Sequence, residues 1–179
     1  SWARKMCIRD RRMTAKLAQA FNMKVIGFDP FVSKEDMTKD NITKIERLEE
    51  LMSKSDYISL HIPHTPKTHY IVNEEMINKM KPTAFLINCA RGGTVDEKAL
   101  FKALKEGKIA GAGLDVYEQE PPEDNPFAQL DNVVLTPHIG ANTKEGQIRA
   151  GVICAEQVIK VLNDEEPDYW VNREKMLVK

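Results

Sequence analysis

Short, near-continuous runs of apolar, β-favouring residues alternate along this chain with stretches whose apolar positions recur every three or four residues. Residues 24–29, 56–62, 84–88, 113–116 and 132–136 form the five runs. Each is too short for a helix and is bounded by turn-forming residues. Strands apolar on both faces suit a parallel sheet covered on each side. The helical stretches carry stripes at Met13, Leu17, Ala20 and Phe21, at Leu48, Leu51 and Met52, and at Met76, Ile77 and Met80; two more lie at Ala99, Leu100, Ala103 and Leu104 and at Ile148, Val152, Ala155, Ile159 and Leu162. Asn73 and Asp96 stand as N-caps ahead of the third and fourth stripes, and Gly107 stops the fourth. Asn142 or Thr143 opens the last, which runs roughly five turns to Asn163 and Asp164. Strand and helix in alternation predict right-handed crossovers and a doubly wound parallel α/β sheet. Ligands of such sheets bind outside the carboxyl ends of the strands.

The residues at those ends carry the candidate chemistry. Asp29 closes the first run, and a carboxylate there can accept both hydroxyls of an adenosine ribose while repelling a 2′-phosphate, which favours NAD over NADP. A polar residue opening an Asp-Pro turn explains it equally well. His61, His64 and His69 follow the second run in a loop broken by Pro63, where nothing fixes three imidazoles on one face, so no metal site is expected. Arg91, in Asn-Cys-Ala-Arg-Gly-Gly, presents a planar fork suited to a carboxylate, and Gly92 and Gly93 allow backbone to approach a ligand closely. A solvated arginine beside a flexible turn is the plain alternative. Cys89 has no base set beside it by the sequence and reads as inert.

Asp115 sits in an apolar run and must find donors, because an unpaired buried carboxylate is costly. Glu120 belongs to an acidic loop whose members are mostly expected to be solvated. His138 follows Leu-Thr-Pro, and Pro137 is expected to hold the chain extended and aim the imidazole beyond the run. Each residue alone has a bland explanation. Together, an arginine, a glutamate and a histidine at successive strand ends make a proton-and-charge apparatus. A carboxylate against an imidazole favours the imidazolium, a proton donor near neutral pH. The arginine would hold an α-keto acid, and hydride from a dihydronicotinamide would complete a reduction.

Composition alters this picture little. The 179 residues, 42% of them hydrophobic, suffice for one domain with a real core. Twenty-six basic against 27 acidic side chains, net −1, give no cationic field, so neither nucleic acid nor a membrane surface is an expected partner. Cys7, Cys89 and Cys154 are odd in number and form no paired motif, which points away from a disulfide framework or zinc site and toward a reducing compartment. With no apolar run near the ~20 residues of a membrane span and no signal segment, the chain is expected to be cytoplasmic. One local imbalance stands out: within residues 1–12, Arg4, Lys5, Arg9, Arg11 and Arg12 face Asp10 alone, a composition typical of a disordered basic tail.

Six strings, AFNMKVIGFDP, SDYISLHIPHTPKTHYIVN, NCARGGTVDEKAL, AGAGLDVYEQEPP, NVVLTPHIGANTKE and PDYWVN, spread over residues 13 to about 173, resemble the D-isomer-specific 2-hydroxyacid dehydrogenases. The resemblance implies a Rossmann-like NAD-binding domain of an enzyme moving hydride between nicotinamide and a D-2-hydroxyacid or 2-keto acid. 3-Phosphoglycerate is the leading substrate, and glyoxylate or hydroxypyruvate the second. It implies that Arg91 binds substrate, Glu120 pairs with the histidine and His138 is the acid/base. Cofactor contacts would fall at Asp29, Ile62, Cys89, Arg91, Asp115, His138 and Gly140, with Asp115 meeting the nicotinamide carboxamide. The full-length protein is expected to be a homo-oligomer. A non-catalytic, NAD-sensing co-repressor relative remains the alternative of another class.

The departures from the family pattern lie at the start. A Gly-x-Gly-x-x-Gly loop should open the helix that ends in AFNMKV, but counting back from Phe21 its glycines fall on Met6, Ile8 and Arg11. Residues 1–12 are therefore expected to be foreign to the family and disordered, with 13–163 a partial dinucleotide-binding domain that lacks the first, central strand. Residues 164–179 would return to a substrate domain absent from this chain and are expected to be poorly ordered. Without a central strand the isolated chain is expected to be inactive, less stable than an ordinary domain of its length and prone to aggregate.

Overall fold

The computed structural model describes residues 2–170, with side chains from Arg9 onward. The chain divides into two compact units, one running from Ala3 to Pro137 and one starting at His138. The first holds every strand among the described residues. In chain order its elements are α1 (Trp2–Ala20), β1 (Ile26–Gly27), α2 (Lys34–Lys39), β2 (Thr43–Lys44), α3 (Leu48–Lys54), β3 (Tyr57–Leu60), α4 (Glu74–Asn78), β4 (Phe85–Asn88), α5 (Glu97–Lys105), β5 (Gly111–Leu114), a short 3-10 turn at Pro126–Gln129 and β6 (Val133–Leu135). All strand pairing is parallel, as expected for strands separated by helices.

The helix boundaries follow local chemistry. The side chains of Ser33, Asn73 and Asp96 accept from the amides of Asp36, Met76 and Ala99 and so start α2, α4 and α5. Gly107, with φ of 67°, ends the turn after α5 in the left-handed region. The strand expected at 113–116 instead spans Gly111–Leu114. A Cβ at Gly111 would lie 2.6 Å from the Asn132 carbonyl. Gly111 is thus a strand residue that lets the backbone pack closely, and Asp115 falls just beyond the strand. β1 falls in the run at 24–29, whereas β2 and helix α2 lie in a polar stretch where no apolar pattern marks them.

The sheet is in two pieces. β3–β4–β5–β6 form a continuous ladder, with Ile58 beside Leu86, Leu86 beside Ala112 and Ala112 beside Val133. β1 and β2 pair only with each other among the described residues. The division falls between β1 and β3, where the resemblance places a central strand. One core fills the four-stranded piece: Met52, Ile77, Leu86, Leu100, Ile109 and Phe127 are all within 1% of complete burial, and Phe127 meets the Phe101 ring edge-on at 5.9 Å.

The basic start corrects an expectation. Its backbone is not a disordered tail but the first half of α1, which continues unbroken to Ala20. The helix expected from the stripe of Met13, Leu17 and Phe21 forms, yet those three side chains are exposed and Ala15, on the opposite face, is buried. The face that packs is polar. Arg11 pairs with Asp29, Arg12 reaches Asp40 at 2.7 Å, and the Gln19 amide donates to the carbonyls of Asp40 and Asn41.

In the second unit, Thr143 caps α6 (Lys144–Leu162) by accepting from the Gly146 amide, and Asn163 closes it. Ile148, Val152, Ile159 and Leu162 form the anticipated stripe and are exposed. Residues 164–170, expected to be poorly ordered, include a turn back along the helix: Asp168 accepts from Lys160 Nζ at 2.7 Å and donates its amide to Gln157 at 2.6 Å. The rest of the closing segment lies outside the described residues. Among those described, no helix is long and apolar enough to cross a membrane.

Candidate active site

Two loops beyond the carboxyl ends of β4 and β5 carry the best-defined constellation. In the first, the buried Asn88 accepts the Ala90 amide on its side-chain oxygen and donates to the Arg91 carbonyl at 3.2 Å. The fully buried Thr94 hydroxyl donates to the same carbonyl at 2.7 Å. With its backbone pinned, Arg91 projects an exposed guanidinium from a rigid turn, its Nη1 on the Ala90 carbonyl at 2.5 Å. Asn88 and Thr94 were not singled out in the sequence; buried polar residues flanking an exposed arginine are the signal that points to them.

Gly92 joins this loop to the next. A Cβ there would sit 1.8 Å from the Tyr117 carbonyl oxygen, a distance no side chain survives. The glycine pair was expected to admit a ligand; Gly92 admits the protein's own backbone instead. Gly93, at φ of 71°, lies under His64, whose ring would be 2.9 Å from an added Cβ.

The second loop is fastened on three sides. Tyr117 donates its hydroxyl to the Thr136 and Leu114 carbonyls at 2.9 and 3.2 Å and its amide to Glu120 Oε1 at 3.0 Å. Glu118 accepts from the Glu97 amide and the Tyr70 hydroxyl, while Glu97 accepts from the Glu118 amide at 2.6 Å. Burial, with Glu118 and Glu120 adding repulsion, pushes the Glu97 carboxyl above its ordinary range. The Asp115 carboxylate, nearly completely buried, receives the Thr136 hydroxyl at 2.5 Å, a donor of the kind its burial requires.

Cys89 is exposed at the end of β4. Partial desolvation, and then the Asp115 charge, push its thiol up, the direction of an unreactive cysteine. Ile62 lies half-buried two residues past β3. The loop histidines do not converge: His64 Nε2 bonds His69 Nδ1 at 3.1 Å, whereas His61 Nε2 bonds the Ser59 hydroxyl at 2.9 Å. Asp29 follows β1 with Oδ1 on the Phe31 amide at 2.7 Å and Oδ2 on Arg11. Thus Asp29, Ile62, Cys89, Arg91, Asp115 and Glu120 lie in the first unit, and Arg91 and Glu120 are carried by loops in direct backbone contact. His138 and Gly140 open the second unit. His138 takes φ of 54°, so the chain turns at the imidazole rather than running on extended from Pro137. His138 is one of six described non-glycine residues with positive φ, and histidine is among the residue types that enter this region most readily.

Residues 12–140 match the family model described as the D-isomer specific 2-hydroxyacid dehydrogenase, NAD binding domain. A D-3-phosphoglycerate dehydrogenase of Methanocaldococcus jannaschii is 50% identical over 161 residues, 90% of this chain and 31% of that protein. A glyoxylate reductase of Korarchaeum cryptofilum is 44% identical over 92% of this chain and 50% of its own length. The D-lactate dehydrogenase of Aquifex aeolicus, solved with NAD and lactic acid, superposes with a TM-score of 0.76 at 36% identity, over 84% of this chain and 50% of that one. The chain spans about half or less of the length of the relatives it matches, and it belongs to the D-isomer-specific 2-hydroxyacid dehydrogenase family, whose NAD-binding domain it matches.

Proposed function

We propose that this chain is part of an NAD-dependent dehydrogenase that interconverts a D-2-hydroxyacid and its 2-keto acid, with 3-phosphoglycerate the leading substrate and glyoxylate or hydroxypyruvate the second. The observation that supports it most is the backbone contact of Gly92 with Tyr117. It holds the Arg91 loop against the loop of Glu120, as a carboxylate-binding guanidinium and an acidic partner require. Arg91, free of any carboxylate partner on its own loop, would bind the substrate carboxylate through its planar fork. His138 would hold the proton that moves at the 2-oxygen, and Glu120 is the acidic partner that the family resemblance assigns to it. Asp115, Cys89 and Ile62 follow strands of the first unit and, with Gly140, are the residues that would meet the cofactor, which when bound supplies or accepts hydride. The adenosine end fits less well and is taken up below.

Joining residues 13–179 to the N-terminal portion of the Methanocaldococcus relative gives a chimera for a test. The chimera is expected to oxidise NADH with 3-phosphohydroxypyruvate faster than with glyoxylate or hydroxypyruvate, and His138→Ala is expected to lower kcat by about 10²–10⁴-fold. NADH binding without turnover on any of the three acids would move the assignment to the NAD-sensing alternative.

A further inference from the structure

A dinucleotide held by a doubly wound sheet needs two things at its adenosine end. One is a helix N-terminus with free amides behind a glycine turn for the pyrophosphate, and the other is a free carboxylate for the ribose hydroxyls. Among the described residues neither is found beside β1. The free amides of an α-helix belong to its first four residues, and α1 starts at Trp2. The backbone at Met6, Ile8 and Arg11, the positions where the glycines would fall, is therefore helical. The Thr14 hydroxyl, donating to the Asp10 carbonyl at 3.0 Å, lies along the same continuous turn. Asp29 has both oxygens engaged, one by the Phe31 amide and one by the Arg11 guanidinium, and the paired Asp29 and Arg11 side chains are each only 21% exposed. Arg12–Asp40 and the two Gln19 bonds latch the same face of α1 onto α2 and the turn into β2. Arg11, Asp29, Val32, Met37 and Ile42 line the small cavity left between them.

We infer that α1 is a built-in occupant of the adenosine end: Arg11 stands on Asp29 as an intramolecular ligand, so the chain with its own residues 1–12 does not bind NAD(H) there. This rests on the family assignment and not on the proposed substrate or catalytic residues. It also explains why α1 docks by its charged face and leaves its apolar stripe outside. The contact that holds the helix is the one a ribose would otherwise make.

Equilibrium titration of the 179-residue chain with NADH and with adenosine tests the inference. The intact chain is expected to show no saturation with either below about 1 mM. Arg11→Ala is expected to bind adenosine at least tenfold more tightly than the intact chain, and adding Asp29→Asn is expected to abolish that gain. NADH should gain no more than adenosine does, because removing a guanidinium does not free the helical amides. Saturation of the intact chain with NADH in the micromolar range would overturn the inference, as would Arg11→Ala binding adenosine no better. Should Arg11→Ala lose its helical circular dichroism, Arg11→Gln, which removes the charge but keeps a good helix former, decides: tighter adenosine binding than the intact chain upholds the inference, and unchanged binding sinks it. The chimera described above, which carries a relative's N-terminal segment, separates the two proposals. Failure of the chimera to bind NADH counts against the functional reading, whereas binding by the intact chain counts against this one.

Discussion

The two pieces of sheet obey the same βαβ rule and hold together by different means. Every member of the main apolar cluster lies between Met52 and Phe127, around β3–β6. Around α1, β1, α2 and β2, the buried apolar side chains among the described residues are Ala15, Met37 and Ile45. A two-stranded ladder without a deep core is marginal by itself, and here ion pairs and amide bonds from α1 supplement it. Topology sets the direction of each strand, but packing on both sides of a sheet decides where cooperativity resides. The cut between β1 and β3 is therefore also an energetic seam.

The largest effect expected on this contrast comes from the cores. Phe127→Ala should destabilise the chain by about 3–5 kcal/mol in denaturant unfolding, as deletions of fully buried aromatics do. Met37→Ala should cost less than half as much, because its thin surroundings can collapse into the space. Equal losses would remove the distinction between the two pieces. Next in size, Gly92→Ala forces a methyl into the Tyr117 carbonyl and should cost about 1–3 kcal/mol, read as a lower Tm. A neutral Gly92→Ala would mean that the Arg91 and Glu120 loops are not in fixed contact.

The smallest expected effect lies at the seam itself. Burial pushes His61 below its ordinary value near 6.5, with the nearby Arg11 charge adding to the shift and Asp10 opposing it. The folded chain then binds fewer protons than the unfolded chain in the window just below pH 6.5. Stability should accordingly fall as pH drops through that window, and be unaffected by this group above it. His61→Gln should flatten the slope; an unchanged pH profile of Tm would show that the imbalance arises elsewhere.

What could be read in advance follows from what each signal encodes. Capping residues act on atoms three positions away, so Asn73, Asp96 and Thr143 marked their helices without knowledge of the rest of the chain. Apolar runs marked β3, β4 and β6, whereas β2 and α2, polar and short, left no periodic trace. The stripe of Met13, Leu17 and Phe21 identified a helix but pointed to the wrong face. Periodicity reports that a helix forms, while the face it buries is set by its neighbours, here Asp29, Asp40 and Asn41. In the candidate site, Arg91, Asp115 and Glu120 were legible as strand-end residues. The brackets that aim them, Asn88, Thr94 and the Glu97–Glu118 exchange, join residues brought together only by folding.

The contact between Gly92 and Tyr117 has a consequence for how such a site can diverge. Two loops that touch backbone to backbone behave as one casting: an insertion in either displaces the other, and side chains at the seam cannot be enlarged. Any change in what these loops can bind must therefore come from segments outside the pair, while the backbone contact keeps the Arg91 loop and the Glu120 loop together.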